Sequence, residues 1–275
     1  MKYKELIEYA NNNHRIKDYE QEAIYFLIQE LEGISRSELL MKLNDEVNND
    51  ELIHYVDEYI YHNKPVQYLL RKAYFYDSYF YVDENVLIPR FDTEFVLEKT
   101  IELIEKKYNH KIDICDLCTG SGCIAVILKK HIDCDIDAID ISKEAILVAK
   151  KNILLNNVDV KLIQNDLLDG IDKVYDIIIS NPPYIDKDEY VMDIVYQNEP
   201  HLALFSEDKG LYHYKRIIDQ SLNNLKDNGT LIFEIPDNKC DMIKEYASRY
   251  YDDITYYKDF NNQRRIMIIE SRKKK

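Results

Sequence analysis

Residues Val174-Tyr175-Asp176-Ile177-Ile178-Ile179-Ser180 form an almost unbroken apolar run that stops on Asn181-Pro182-Pro183-Tyr184. A half-exposed strand would turn every second side chain to water. This one offers no polar face, so it reads as a strand covered on both sides, as in a parallel sheet flanked by helices. Two consecutive prolines then fix two φ angles and remove two N–H donors. Ligands of such open sheets sit beyond the carboxyl ends of the strands, where these four residues fall. An Asn side-chain oxygen, a fixed carbonyl and a Tyr ring suit a flat group bearing –NH2, either a carboxamide or the exocyclic amine of a base. Asn-Pro and Pro-Pro are also ordinary turn dipeptides. The motif gains its weight from the segments before it.

Upstream, Ile112-Asp113-Ile114-Cys115-Asp116-Leu117 runs as a strand into the turn Cys118-Thr119-Gly120-Ser121-Gly122, and a helix of small and apolar residues follows. Glycines let backbone approach a ligand, and the helix start offers unpaired N–H groups. The full dinucleotide fingerprint is absent, because no third glycine follows at the required spacing. A second strand, Cys134 to Asp140, ends on an acid about 20 residues beyond the turn, the spacing at which a carboxylate takes a ribose diol. A third unit, Val160 to Asp166, ends on another acid. The glycine turn alone is weak evidence. The four features in order are strong.

That order and spacing resemble a class I S-adenosylmethionine-dependent methyltransferase, and Asn-Pro-Pro-Tyr resembles the branch that methylates planar amino groups. More narrowly, the chain resembles the HemK/PrmC family, the protein glutamine methyltransferases of peptide chain release factors. The likeness runs from about residue 65 to the C-terminus. It includes Pro65-Val66-Gln67-Tyr68-Leu69, Val86-Leu87-Ile88-Pro89-Arg90 with Asp92-Thr93-Glu94, Glu199-Pro200 with Ala203-Leu204, Gly210-Leu211 and Gln263-Arg264-Arg265. Four positions depart from it: Arg71 and Cys118 stand where the family usually has glycine, Phe91 replaces a proline, and Pro236 replaces the glycine of Glu-Ile-Gly.

The resemblance implies an α/β fold with a doubly wound, mostly parallel seven-stranded sheet, a small N-terminal helical domain and a β-hairpin linker. It also implies S-adenosylmethionine as cofactor and methylation of the glutamine in a Gly-Gly-Gln motif of release factors. On that reading Cys118, Thr119, Gly120, Ser121 and Gly122 approach the methionine end of the cofactor. Asp140 holds the ribose hydroxyls, and Asp166 with Leu167 borders the adenine. Asn181 and Pro182 supply acceptors for the amide, Pro183 stiffens the loop, Tyr184 packs on the amide plane, and Glu199 borders the glutamine pocket. Three alternatives share the core motifs: a ribosomal-protein glutamine methyltransferase, a DNA or RNA amino-methyltransferase, and a cofactor-binding scaffold without activity.

The chain divides into residues 1–64, a linker over 65–90 and a catalytic part over 91–275. In the first part, Asp18 can cap a helix holding Ile24, Leu27, Ile28 and Leu31. Ser35 with Glu38 makes a capping box, and Asn49 can start a helix with Leu52, Val56, Tyr59 and Ile60 on one stripe. A helical unit ahead of a catalytic domain suits gripping the substrate. Residues 73–82 read as an aromatic β-hairpin turning at Asp77-Ser78 and serving the contact between domains. Later helices are expected over 142–156, 209–224 and 239–249.

A net charge of −15 argues against phosphate-driven nucleic-acid binding and favours a basic protein partner. Arg264-Arg265 and Lys273-Lys274-Lys275 are the local basic candidates. The N-terminus lacks a signal-peptide core and no apolar stretch approaches a membrane span. Five cysteines, an odd number, suit free thiols in a reducing compartment. The expectation is a cytoplasmic monomer. Cys115 and Cys118 form a C-x-x-C without a second pair, so no metal site is expected.

Overall fold

The computed structural model describes residues 1–17 and 19–273. Residues 1–72 form one unit together with 190–199, and the rest of the chain forms a second. The first holds helices α1 (Tyr3–Asn13), α2 (Gln21–Glu32), α3 (Arg36–Met41), α4 (Asp50–His62) and α5 (Val66–Leu70). Leu52, Val56, Tyr59 and Ile60 are buried on one stripe of α4. Their common core includes Leu6, Ile24, Leu27 and Ile28. Ser35 and Glu38 form the reciprocal capping box of α3, and the Asn49 side chain accepts from the N–H groups of Glu51 and Leu52. Asp18 lies outside the described residues; α2 starts at Gln21 with Glu20 as its N-cap.

This unit extends past residue 64. Val66 is buried in its core, which draws α5 out of the expected linker. The late segment 190–199 belongs to it as well. Ile194 packs on that core, and Asn198 Nδ2 donates to the Asn63 carbonyl at 2.7 Å. Sequence periodicity is local and could not show that a segment so far along the chain returns to the helices.

In the second unit, strands β1 (Ala73–Phe75) and β2 (Ser78–Phe80) pair antiparallel with Phe75 opposite Ser78, so the turn is Tyr76-Asp77, one residue earlier than expected. Tyr76 takes φ +58 there. Ser78 is kept in the strand, where its buried hydroxyl accepts from Lys130 Nζ at 2.5 Å. Phe75 and Phe80 are core residues of the second unit itself. Helix α6 (Phe91–Lys107) leads into β3 (Ile112–Leu117), α7 (Cys123–His131), β4 (Cys134–Asp140), α8 (Lys143–Leu155), β5 (Lys161–Gln164) and β6 (Tyr175–Ser180). The sheet is completed by β7 (Leu225–Glu234), β8 (Tyr251–Lys258) and β9 (Arg264–Arg272).

Its seven strands run in the order β5-β4-β3-β6-β7-β9-β8, parallel except for the antiparallel β9. The doubly wound sheet expected from the sequence is present. All six residues of β6 are buried. Their period of two divides the core: Ile177 and Ile179 join the cluster on one face, Tyr175 and Ile178 the cluster on the other. Each isoleucine so enclosed contributes about 1.5–3 kcal/mol. No alternation of polarity arises because both faces are covered by helices.

The helix expected from residue 209 begins at Tyr212, because Asp208 and Lys209 both take positive φ. Arg264 pairs with Asp237 and Asp241, and Arg265 with Asp92 and Asp259, so the expected basic pair is neutralised locally. Lys273 donates to the Ser248 carbonyl; Lys274 and Lys275 lie outside the described residues.

Asn152, wholly buried on α8, links the hairpin to the glycine turn. Its Oδ1 accepts from Tyr81 N at 2.6 Å, and its Nδ2 donates to the carbonyls of Tyr81 and Ser121. Asn152→Ala leaves those groups unsatisfied and should cost about 2–4 kcal/mol in denaturant unfolding. A loss below about 0.5 kcal/mol would show that the three bonds are dispensable.

Candidate active site

Register brings the ends of β3, β4 and β6 level at one edge of the sheet. Leu117 lies opposite both Ile139 and Ser180. Thr119 N–H donates to the Ile139 carbonyl at 3.0 Å, and Ser180 Oγ to the Leu117 carbonyl at 2.7 Å. A cleft opens beyond this edge. Its wall includes Cys118, Thr119, Gly120 and Ser121 from the turn after β3, Asp140 at the end of β4, and Asp166 and Leu167 after β5. Asn181 and Pro183 complete it after β6.

Asp140 organises the turn. Its Oδ2 accepts from Gly120 N–H and its Oδ1 from Ser142 N–H, each at 2.9 Å. Burial raises its pKa, opposed by these backbone donors. The two oxygens keep lone-pair capacity beyond their backbone donors, which suits a diol. Gly122 caps α7 at φ +79, and a Cβ there would meet Ala149 Cβ at 3.2 Å, so glycine lets α7 close on α8. Cys118, without glycine's freedom, still takes φ +58, and Arg71 takes φ +51. The left-handed turns therefore survive at both departures, at roughly 1–2 kcal/mol per residue. Burial pushes the thiols of Cys115 and Cys118 up, so neither is a ready thiolate. Among the described residues no cluster of His, Cys, Asp or Glu could hold a metal ion.

The Asn-Pro-Pro-Tyr loop is braced from behind. Pro182 is buried and Tyr184 partly so, and Tyr184 packs on the cluster that contains Tyr214 and Phe233; neither belongs to the cleft lining. A Cβ on Gly210, which has φ +82, would fall 2.0 Å from the Tyr184 carbonyl oxygen, so only glycine fits. His213 lines the cleft with its Nδ1 2.8 Å from Ser206 Oγ, and burial lowers its pKa. Asn181 Nδ2 lies 3.5 Å from Thr93 Oγ1, which donates to the buried carboxyl of Glu234 at 2.6 Å.

The cleft thus gathers most of the expected residues. Gly122 acts one step back, as a cap. Asp166 is on the wall, but Arg216 grips both its carboxylate oxygens at 2.8 and 3.0 Å. Glu199 is buried in the other unit, its N–H bonded to the Val195 carbonyl. Arg90, Thr93, Ile124 and His213 line the cleft without having been assigned a role from the sequence. Arg90 and Thr93 sit in a quoted motif, but only the fold shows that α6 carries them to β6. Among the described residues no helix is long and apolar enough to cross a membrane.

A model of the methyltransferase small domain matches residues 96–204. The release factor glutamine methyltransferase of Streptococcus pneumoniae is 34% identical, over 91% of this chain and 92% of that protein. That of Bacillus subtilis is 33% identical over 95% of each. The chain belongs to the release factor glutamine methyltransferase family. Solved structures agree on the fold: a Pyrococcus furiosus methyltransferase has a TM-score of 0.51 at 15% identity, covering 81% of this chain and 96% of its own. A T. thermophilus rRNA methyltransferase bound to AdoMet and guanosine has 0.54 at 12%, covering 73% and 50%. The family's cofactor is S-adenosylmethionine, and the cleft fits it: a diol-ready carboxylate at Asp140, a close-approach turn at 118–121, and apolar walls at Ile124, Ile141 and Leu167.

Burial pushes the Asp116 and Glu234 carboxyls up to about 7. A raised folded-state pKa means that the native state holds more protons than the unfolded chain between the two values. Its stabilising contribution is present below the unfolded pKa and is lost as pH rises through about 7. Relative to Glu234→Gln, the unaltered protein should therefore lose stability between about pH 5 and 7.5. Parallel stability curves for the two would show that Glu234 ionises normally.

Proposed function

We propose that this protein transfers the methyl group of S-adenosylmethionine to the side-chain amide nitrogen of a glutamine in a peptide chain release factor. The observation that carries the reading is Asn181, held on the cleft wall by a buried proline pair, at the same sheet edge as the Asp140 carboxylate. Bound there, the cofactor supplies an activated methyl on a sulfonium, so no strong base is needed. An amide nitrogen is a poor nucleophile because its lone pair is delocalised into the carbonyl. Asn181 Oδ1 answers this by accepting from the amide N–H and favouring the positive charge that builds on nitrogen. Pro182, expected from the sequence as a second acceptor, does not belong to the cleft lining and is given no direct role. Tyr184 and Pro183 hold the loop, Asp140 takes the ribose hydroxyls, and Leu167 gives the base an apolar wall.

The helical unit grips the release factor, a role consistent with the acidic balance of the chain. Full-length release factor should then show a lower KM than a short glutamine peptide. Equal KM values would assign the helices another task. The enzyme acts as a monomer in the cytoplasm, without direct nucleic-acid binding.

Asn181→Ala should lower the single-turnover rate by ~10²–10³, with cofactor affinity nearly unchanged. Asn181→Asp, which keeps an acceptor, should retain more activity than the Ala form. Asp140→Ala should show the converse in calorimetry, with cofactor binding weakened by up to roughly 1.5–3 kcal/mol per lost hydrogen bond. An Asn181→Ala enzyme as fast as the unaltered one would refute the proposed role of the motif.

A further inference from the structure

An asparagine can serve as an acceptor only when its carboxamide is turned the right way, and a terminal amide rotates with little intrinsic preference. Proline neighbours hold the backbone of Asn181 but leave its χ2 free. The structure contains a device that decides it. Asn181 Nδ2 lies 3.5 Å from Thr93 Oγ1, and Thr93 Oγ1 lies 2.6 Å from Glu234 Oε2, with Thr93 and Glu234 both 3% exposed. The longer distance is usual for site hydrogen bonds before substrate arrives.

We propose that Thr93 and Glu234 are positioning residues that set the orientation of Asn181. A carboxylate only accepts, so Glu234 takes the single hydroxyl proton of Thr93. The Thr93 oxygen then has only lone pairs to offer and captures the Asn181 amine. The other end of the carboxamide, Oδ1, is left for the substrate amide. The inference rests on the glutamine-methyltransferase reading above and extends it to residues that never touch the reacting atoms. The first turn of α6 is held on each side of Thr93. Asp92 pairs with Arg265 at 3.2 Å, and Glu94 accepts from Tyr76 N–H at 2.7 Å.

The relay has a definite failure mode. The groups acting on Glu234 are Arg265 from β9, Arg90 and Asp92 at the start of α6, Tyr184 beyond β6, Tyr214 from the helix Tyr212–Asn224, and Cys123 on α7. Burial among them keeps its carboxyl protonated up to about pH 7. A protonated Glu234 donates to Thr93, whose own proton is then free to bond Asn181 Oδ1. That inverts the amide and silences the acceptor.

The test is a double-mutant cycle on the full-length enzyme, with purified release factor and labelled S-adenosylmethionine in single turnover. Thr93→Val, which keeps the shape and removes the hydroxyl, should slow transfer ~10-fold or more while cofactor affinity stays within about twofold. Thr93→Ser should restore most of the rate. In an Asn181→Ala background, Thr93→Val should change the rate by less than about twofold. Equal slowing in both backgrounds, or a Ser form as slow as Val, would overturn the proposal. Should Thr93→Val fold poorly, Glu234→Gln decides: the acid limb of the unaltered enzyme's rate profile should vanish, and an unchanged limb would refute the relay. No transfer to glutamine by the unaltered enzyme would overturn the functional reading, and this inference with it.

Discussion

The parallel register of β3, β4 and β6 is the constraint on which the site depends. Leu117 opposite Ile139 and Ser180 brings three loops to one level, although their residues lie far apart in the chain. The Ser180 hydroxyl and the Thr119 N–H cross from strand to strand at that level and lock it. A slip of one residue in β6 would exchange its two faces and turn Asn181 away from the cleft. Burial of all six β6 residues makes such a slip costly. Specificity of register and geometry of the site are thus one property.

Around that edge the structure holds the backbone by rigid means. Two prolines, a Gly210 that admits no Cβ, and a turn bonded to the Asp140 carboxylate leave little to rearrange when ligands bind. Preorganisation of this kind lowers the reorganisation needed at the moment of reaction. Cys118 and Arg71 show how firmly the shape is imposed, since both take left-handed backbone without glycine. Cys118 also offers its partly buried side chain to the core cluster that includes Leu117, which offsets part of the strain.

Much of this was legible in the sequence, for identifiable reasons. The apolar run of β6 has no polar face because helices cover both sides, and that signal is local. Asp140 ends β4 and Asp166 lies two residues past β5, so counting from the glycine turn finds them. Caps such as Ser35, Asn49 and Ser142 are chemical signatures of helix starts. What stayed hidden depends on tertiary placement. The return of residues 190–199 to the helical unit, the tie made by Asn152, and the Thr93–Glu234 pair all join segments distant in sequence. The hairpin turn was misplaced by one residue because Tyr76, not a usual left-handed residue, occupies the positive φ position.

The central claim is that this edge presents one acceptor to one carboxamide. The most direct measurement is to incubate the enzyme with purified release factor, intact ribosomes and labelled S-adenosylmethionine in competition, then map the label by mass spectrometry of peptides. The account predicts a single methyl on the side-chain nitrogen of one release-factor glutamine. Label on nucleic acid, on a ribosomal protein, or on any other side chain of the release factor would contradict it.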